Sequence, residues 1–270
     1  MPELPEVETV RRGLEPELPG QRVAEAWGHP SSKFNSAGEL VGAEIDDVRR
    51  RGKYLLFGLV DDRELIVHLG MTGQLTWHFA ADDHLIDKYV RAWWLMEDGG
   101  RLQLRDVRRF GRVAVVDAGH YETLPTLHHL GPEPFDDGFT DVMFWAALKT
   151  SSRCIKTQLL SQRPIAGVGN IYADEACWVA QVSPISRRIT KASASRLLAA
   201  LRDVMGSAID NGGTTLRDYR TVDGSSGDNQ QHLLCYGRAG EPCLRCSKPL
   251  TSRVLDGRTT TWCRSCQPAR

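Results

Sequence analysis

Four cysteines near the C-terminal end constrain this chain more than any other feature. Cys243, Cys246, Cys263 and Cys266 form two C-x2-C pairs with 16 residues between them. Each C-x2-C turn presents two sulfurs to one point, and zinc takes four thiolates as a closed tetrahedron. The pattern predicts one structural zinc ion with no open coordination position and no chemistry of its own. Two unrelated redox or buried pairs are the alternative reading. The remaining cysteines, Cys154, Cys177 and Cys235, are scattered, and the odd total of seven does not suit a disulfide framework.

A zinc ribbon accounts for only the tail of 270 residues. At roughly 150 residues per domain, the rest has room for one large domain or two small ones. A composition 41% hydrophobic and 25% charged is ordinary for a globular protein and excludes wholesale disorder or a collagen-like chain. Lys and Arg balance Asp and Glu at 34 each, which excludes a globally basic nucleic-acid binder but not a locally basic one. Runs such as Tyr54–Val60 fall far short of the roughly 18 apolar residues a membrane span needs. The acidic start MPELPEVETV lacks the basic and apolar regions of a signal peptide. These features predict a cytoplasmic protein with no membrane segment.

Hydrophobic periodicity divides the chain. Val7, Val10 and Leu14 follow a Pro-rich start at helical spacing. Between about Val23 and Val116, short apolar runs (YLLFGL, ELIVHLG, YVRAWWLM, RVAVVD) are broken by Gly, Asp and Asn, as in a β-sandwich or barrel. HHLGPEPFDDGFT, at 128–140, has linker composition. Helical spacing returns over Val142–Lys149, Ile155–Leu160, Ile171–Val179 and Ser193–Ile209, and Asn211, Gly212 and Gly213 stop the last helix. VLDGRTTTWC reads as a hairpin carrying one cysteine pair. The expected architecture is an α+β multidomain chain: an N-terminal β-sandwich with a leading helix at 2–127, a helical domain at 128–234, and a zinc ribbon with a β-hairpin at 235–270.

Charge is uneven along this frame. RLQLRDVRRFGR, at 101–112, holds five Arg and one Asp, a net of +4. Arg49, Arg50, Arg51 and Lys53 form a second cluster, and the tail from Arg220 to Arg270 has eight basic and four acidic residues, again +4. Any one cluster alone reads as a solvated face. Three of them beside a zinc ribbon point to a groove that tracks phosphates.

Pro2 follows Met1, and Glu3 and Glu6 lie within one turn of it. Two readings stand. Pro2 and its glutamates start a helix and favour its N-terminal dipole. Alternatively, once Met1 is removed, the secondary amine attacks an aldehyde-like carbon while a neighbouring carboxylate moves protons.

MPELPEVETVRRGL, RRGKYLL, HLGMTG, DVRRFGR, GVGNIYADEA, NGGTTLRDY, YGRAGEPCLRC and GRTTTWCRSCQ, in this order, resemble formamidopyrimidine-DNA glycosylase, the bacterial base-excision family acting on oxidised purines. The resemblance runs from Pro2 to Gln267. It implies a bifunctional glycosylase and abasic-site lyase working through an N-terminal proline Schiff base and β,δ-elimination. Its partner would be damaged double-stranded DNA, its oligomeric state monomeric, and its location the bacterial cytoplasm at the nucleoid. Pro2 would be the nucleophile, Glu3 the general acid toward the sugar ring oxygen, and Glu6 a supporting group. Lys53 would serve phosphate contact and β-elimination, and Arg258 phosphate binding and δ-elimination. Asn170, in a helix–two-turns–helix element, together with His68 and Tyr236, would contact the DNA backbone. Met71, Arg108 and Phe110 would fill the void left by the everted nucleotide: apolar wedges and a planar donor fork suit that task.

Two stretches depart from the family pattern. Asp228 and Asn229 stand where a Tyr-Phe pair is expected in the loop that covers the everted base, and Asp87 stands near an expected DNA-contacting His. The related endonuclease VIII type, which acts on oxidised pyrimidines, and a catalytically silent zinc-ribbon DNA binder are the competing readings. The ELPE start and the RRF trio disfavour the first, and the complete Pro2, Glu3, Lys53 and Arg258 set disfavours the second.

Overall fold

A computed structural model describes residues 1–79 and 87–269. The segment 80–86, inside the expected N-terminal domain, and Arg270 lie outside them. The chain divides into two compact units: one is Met1–His128 with Ile209–Gln230, the other His129–Ala208 with Gln231–Arg270. A stretch beyond the long helical run therefore belongs with the N-terminal unit.

In the first unit, helix α1 (Leu4–Leu14) starts with Pro5 in its first turn, where a missing N–H costs nothing. Val7, Val10 and Leu14 lie three and four residues apart, so one face enters the core. Eight strands follow: β1 (Val23–Gly28), β2 (Ile45–Arg51), β3 (Tyr54–Leu59), β4 (Arg63–His68), β5 (Gly73–His78), β6 (Val90–Met96), β7 (Arg101–Asp106) and β8 (Arg112–Asp117). They form two four-stranded antiparallel sheets, ordered β1-β6-β7-β5 and β2-β3-β4-β8. Leu55, Phe57 and Val67 from one sheet meet Leu75, Trp94 and Leu104 from the other in a single buried cluster, the expected sandwich. A 3-10 helix (Asn35–Leu40) and a short helix α2 (Pro125–His128) complete the elements before the unit boundary.

The second unit holds α3 (Asp141–Lys149), α4 (Ile155–Leu160) and α5 (Asn170–Val179); α6 (Lys191–Asp210) runs from it to the returning segment. The hairpin β9 (Thr251–Leu255) and β10 (Arg258–Trp262) turns at Asp256 and Gly257, both with positive φ. The Pro-rich stretch after His128 is more than a spacer. Gly131 donates to the Gln162 carbonyl at 2.8 Å, and a Cβ there would sit 2.2 Å from the Arg163 oxygen. Arg202 Nε donates to the Pro134 carbonyl at 2.6 Å. No helix among the described residues is long and apolar enough to cross a membrane.

Candidate functional site

The first turn of α1 is built around carboxylates. Pro2 is buried, and Glu3 and Glu6 are 2% and 1% exposed. Glu3 has extended backbone at the N-cap, and its amide donates to Glu6 Oε2 at 2.7 Å. Glu6 Oε1 accepts the Thr214 amide at 2.8 Å. Two charge-assisted bonds thus hold Glu6 between the start of α1 and the segment after α6. Its role is to fix the peptide next to Pro2. Glu8, on the next turn, gathers Arg11 (3.1 Å), Arg12 (3.1 Å) and Arg50 (3.0 Å). Burial disfavours its charge, but the Arg11 and Arg50 guanidinium groups prevail and hold it below the usual carboxylate range.

Lys53 is 3% exposed and follows Gly52, whose φ of +56° makes the tight β2–β3 turn. Strand register pairs the next residue, Tyr54, with His68, and their rings lie 4.7 Å apart. Burial, then the charges of Lys53 and Arg112, push the His68 imidazole down to about 4. Nδ1 accepts the Gly70 amide at 3.1 Å, so the neutral ring carries its proton on Nε2, which is then a donor. The basic cluster around Lys53 is otherwise committed internally, contrary to a run of free cations: Arg49 meets Asp47 at 2.8 Å and Glu64 at 2.6 Å, and Arg50 meets Glu8.

Met71, Arg108 and Phe110 come together on two adjoining turns. Met71 is half-buried, Arg108 and Phe110 are exposed, and the Arg108 guanidinium lies 4.7 Å from the Phe110 ring centre. Asp106, fully buried, organises both turns. Its Oδ1 accepts from Thr72 Oγ1 at 2.5 Å and from the Arg108 amide at 3.2 Å, and its Oδ2 accepts the Gly111 amide at 2.7 Å. Gly70, with φ +64°, lets the turns touch, since a Cβ there would sit 2.4 Å from the Gly111 nitrogen. Asp106 is hard to single out from the sequence. Its only signal was being the one acid in an arginine-rich stretch. Of the other arginines in that stretch, Arg101 is buried against the Trp93 ring and Arg105 pairs with Asp87 at 2.9 Å. Asp87 also accepts the Tyr89 amide at 2.7 Å.

In the second unit, Asn170 opens α5 after Gly169, and Gly167 has φ +80°. Backbone amides at such a helix start can receive a phosphate. The Asn170 amide nitrogen reaches Tyr236 Oη at 3.5 Å, while its buried Oδ1 has no hydrogen-bond partner among the described residues. Glu175, one turn further, accepts three consecutive backbone amides: Leu234 at 2.8 Å, Cys235 at 2.8 Å and Tyr236 at 2.6 Å. That clamp sets the backbone carrying Tyr236.

Arg258 is exposed at the start of β10, and its hairpin is pinned from α4 and α5. The fully buried Lys156 and Asp174 pair at 2.7 Å. Lys156 Nζ also donates to the Thr259 carbonyl at 2.9 Å, and Asp174 Oδ2 accepts the Thr261 amide at 2.9 Å. Burial raises the Asp174 carboxyl against the pull of Lys156. At the turn, Thr157 Oγ1 donates to Asp256 at 2.6 Å.

The sulfurs of Cys243, Cys246, Cys263 and Cys266 all lie within 4.8 Å of one another. Tetrahedral zinc with sulfurs at about 2.3 Å needs spacings of this order, so the residues fit one structural zinc ion. Gln267 braces the site: it accepts the Cys263 amide at 2.8 Å and donates to the Val182 carbonyl at 2.9 Å. Arg245 stacks on Trp178 at 4.0 Å.

Comparison with known proteins agrees along the whole length. Residues 1–113 match the family model of the formamidopyrimidine-DNA glycosylase N-terminal domain. Residues 130–220 match that of the formamidopyrimidine-DNA glycosylase H2TH domain, and 240–269 a zinc finger found in FPG and IleRS. The chain is 44% identical over 271 residues to the formamidopyrimidine-DNA glycosylase of Thermus thermophilus, covering 99% of this chain and 98% of the relative. It is 41% identical over 285 residues to that of Deinococcus radiodurans, covering 100% and 98%. The crystal structure of MutM (Fpg) from Thermus thermophilus superposes with a TM-score of 0.91 at 42% identity, covering both chains fully. A complex of Lactococcus lactis Fpg with abasic-site DNA gives a TM-score of 0.88 at 34% identity, covering 98% of this chain and 99% of that one. With matched models spanning the sandwich, the helical region and the cysteine-bearing tail, the chain belongs to the formamidopyrimidine-DNA glycosylase family.

Proposed function

We propose that this protein is a bifunctional DNA glycosylase and abasic-site lyase of base-excision repair that removes oxidised purines, 8-oxoguanine and formamidopyrimidines, from double-stranded DNA. It works as a monomer in the bacterial cytoplasm, with 2–127 as catalytic domain, 128–234 as backbone-gripping domain, of which 209–230 packs with the catalytic unit, and 235–270 as zinc finger. The observation that carries this reading is the buried start of α1, where Glu6 grips the Glu3 amide and fixes the peptide adjoining Pro2. Removal of Met1 turns the Pro2 nitrogen from an amide into a nucleophilic amine.

The Pro2 nitrogen bonds to the sugar C1′ as the glycosidic bond breaks, and the base leaves with a proton. Glu3 protonates the ring oxygen, the ring opens, and an iminium joins Pro2 to the sugar. Loss of a C2′ proton expels the 3′ phosphate, and a second elimination expels the 5′ phosphate. Lys53 and the neutral Nε2–H of His68 serve phosphate oxygens on the sandwich unit. Asn170, Tyr236 and Arg258 do so on the other. Met71, Arg108 and Phe110 occupy the vacated stack.

Borohydride reduction during reaction with an 8-oxoguanine duplex tests this. The expected result is a covalent complex with the DNA fragment on Pro2 by mass spectrometry. No complex is expected from protein in which Met1 removal is blocked. An adduct on Lys53, or full cleavage by Met1-bearing protein, would overturn it.

A further inference from the structure

The loop in which this chain departs from its family is hydrogen-bonded into the catalytic end. Asp228 is exposed, but Asn229 is only 5% exposed. Asn229 Nδ2 donates to Thr214 Oγ1 at 2.8 Å, its Oδ1 accepts from Asn211 Nδ2 at 3.2 Å, and its amide donates to the Gly213 carbonyl at 3.2 Å. On either side, Gly227 donates to Thr215 Oγ1 at 2.9 Å, and Gln230 Oε1 accepts the Thr215 amide at 2.9 Å. The strip 227–230 is thus laced to the strip 211–215. The contact is backbone on backbone: a Cβ at Gly227 would sit 2.2 Å from the Gly213 oxygen.

The second strip continues into α1. Thr214 donates its amide to Glu6 Oε1, and Glu6 Oε2 accepts the Glu3 amide. A Cβ on Gly213, at φ +85°, would come within 3.2 Å of Glu6 Cγ. One unbroken line of bonds therefore runs from Asn229 through Thr214 and Glu6 to the peptide next to Pro2. The Phe that the family pattern has at 229 carries no donor for Thr214 Oγ1. The Asn229 side-chain amide is the bond from the loop to Thr214, the residue whose backbone reaches Glu6.

We propose that Asn229 is a positioning residue for the N-terminal nucleophile, so that in this chain the loop acts on the chemistry at Pro2 and not on the everted base alone. The proposal rests on the glycosylase and lyase reading above. Its signature is an effect on abasic DNA, which has no base for a loop to recognise.

The experiment is single-turnover borohydride trapping on a duplex with a preformed abasic site, at saturating protein. Asn229→Leu is expected to slow trapping about tenfold, as for a lost buried hydrogen bond, while affinity for a tetrahydrofuran-containing duplex stays within about threefold. At saturating protein an unfolded fraction leaves the rate constant unchanged, so a folding defect does not imitate the result. Thr214→Val, at the other end of the bond, is expected to give a similar loss, and the double variant to be no slower than either single one. A wild-type rate constant in Asn229→Leu, or losses that multiply in the double variant, would overturn the proposal. Wild-type protein that traps no abasic DNA would refute the lyase reading itself, before any variant is compared.

Discussion

Helix α1, which follows directly on Pro2 and Glu3, and the hairpin β9–β10, which carries Arg258, are held by different forces. The apolar face of α1 enters a core shared by both sheets of the sandwich, and carboxylates only trim the alignment of its first turn. The hairpin has a small apolar footing: β9 is largely exposed along its length, and Trp262 is the one large apolar side chain that β10 buries. A two-stranded ribbon of this kind is marginal by itself. What holds Arg258 is a metal site on one side and a buried Lys156–Asp174 pair on the other. A region with a large core tolerates the loss of one polar contact. A region without one depends on each of its staples.

The sharpest way to break that contrast is through the zinc. Structural zinc contributes about 10–16 kcal/mol to folding of small metal domains. Cys246→Ser is expected to abolish bound zinc and hydrogen-exchange protection in 251–262 while leaving protection in β3 and β4 intact. Equal loss in both regions would mean the sandwich is not independent.

Next in size is the buried ion pair. Lys156→Met leaves the Asp174 carboxyl buried without its cation, at an expected cost of about 3–5 kcal/mol in urea unfolding of the second unit, whereas Lys156→Met with Asp174→Leu together should cost less than the sum of the two single changes. Single effects that simply add would show that the two groups do not act as a pair.

The smallest effect sits in the sandwich. His68 is held near 4 in the folded protein against 6.5 in the unfolded chain. Between these values the unfolded state binds more protons, so stability falls as pH drops from about 6.5 to about 4, by roughly 3 kcal/mol at most. Unfolding of the first unit at several pH values should show this slope, and His68→Gln should flatten it. A slope unchanged in that variant would assign it to other groups.

Elements with one clear period were legible in the sequence: α1, β3, β4, the helices of the second unit and the cysteine tetrad. Strand β7 was not, because RLQLRD reads as a charge cluster while Arg101 and Gln103 are in fact buried within its sheet. The residues that aim the site were the least visible. Asp106 and Glu175 look like surface acids in a sequence, and Glu6, legible as a neighbour of Pro2, finds its amide at Thr214, 208 positions away. Local pattern cannot announce a partner at that separation. The family resemblance supplied roles for the groups that would touch DNA and a supporting one for Glu6, but none for Asp106 and Glu175. It was also silent on Asn229, where the chain leaves the pattern.

Gly227 has a bearing on how this protein could be retargeted. The backbone contact under it closes position 227 to every side chain, and the lacing beneath Asn229 restricts its neighbour. Asp228 between these fixed points, and Ser225 and Ser226 just before them, are exposed. A library meant to change which damaged base is accepted should therefore vary those three positions and leave 227 and 229 alone. In a lineage drifting toward new substrates, change should accumulate at the same three sites.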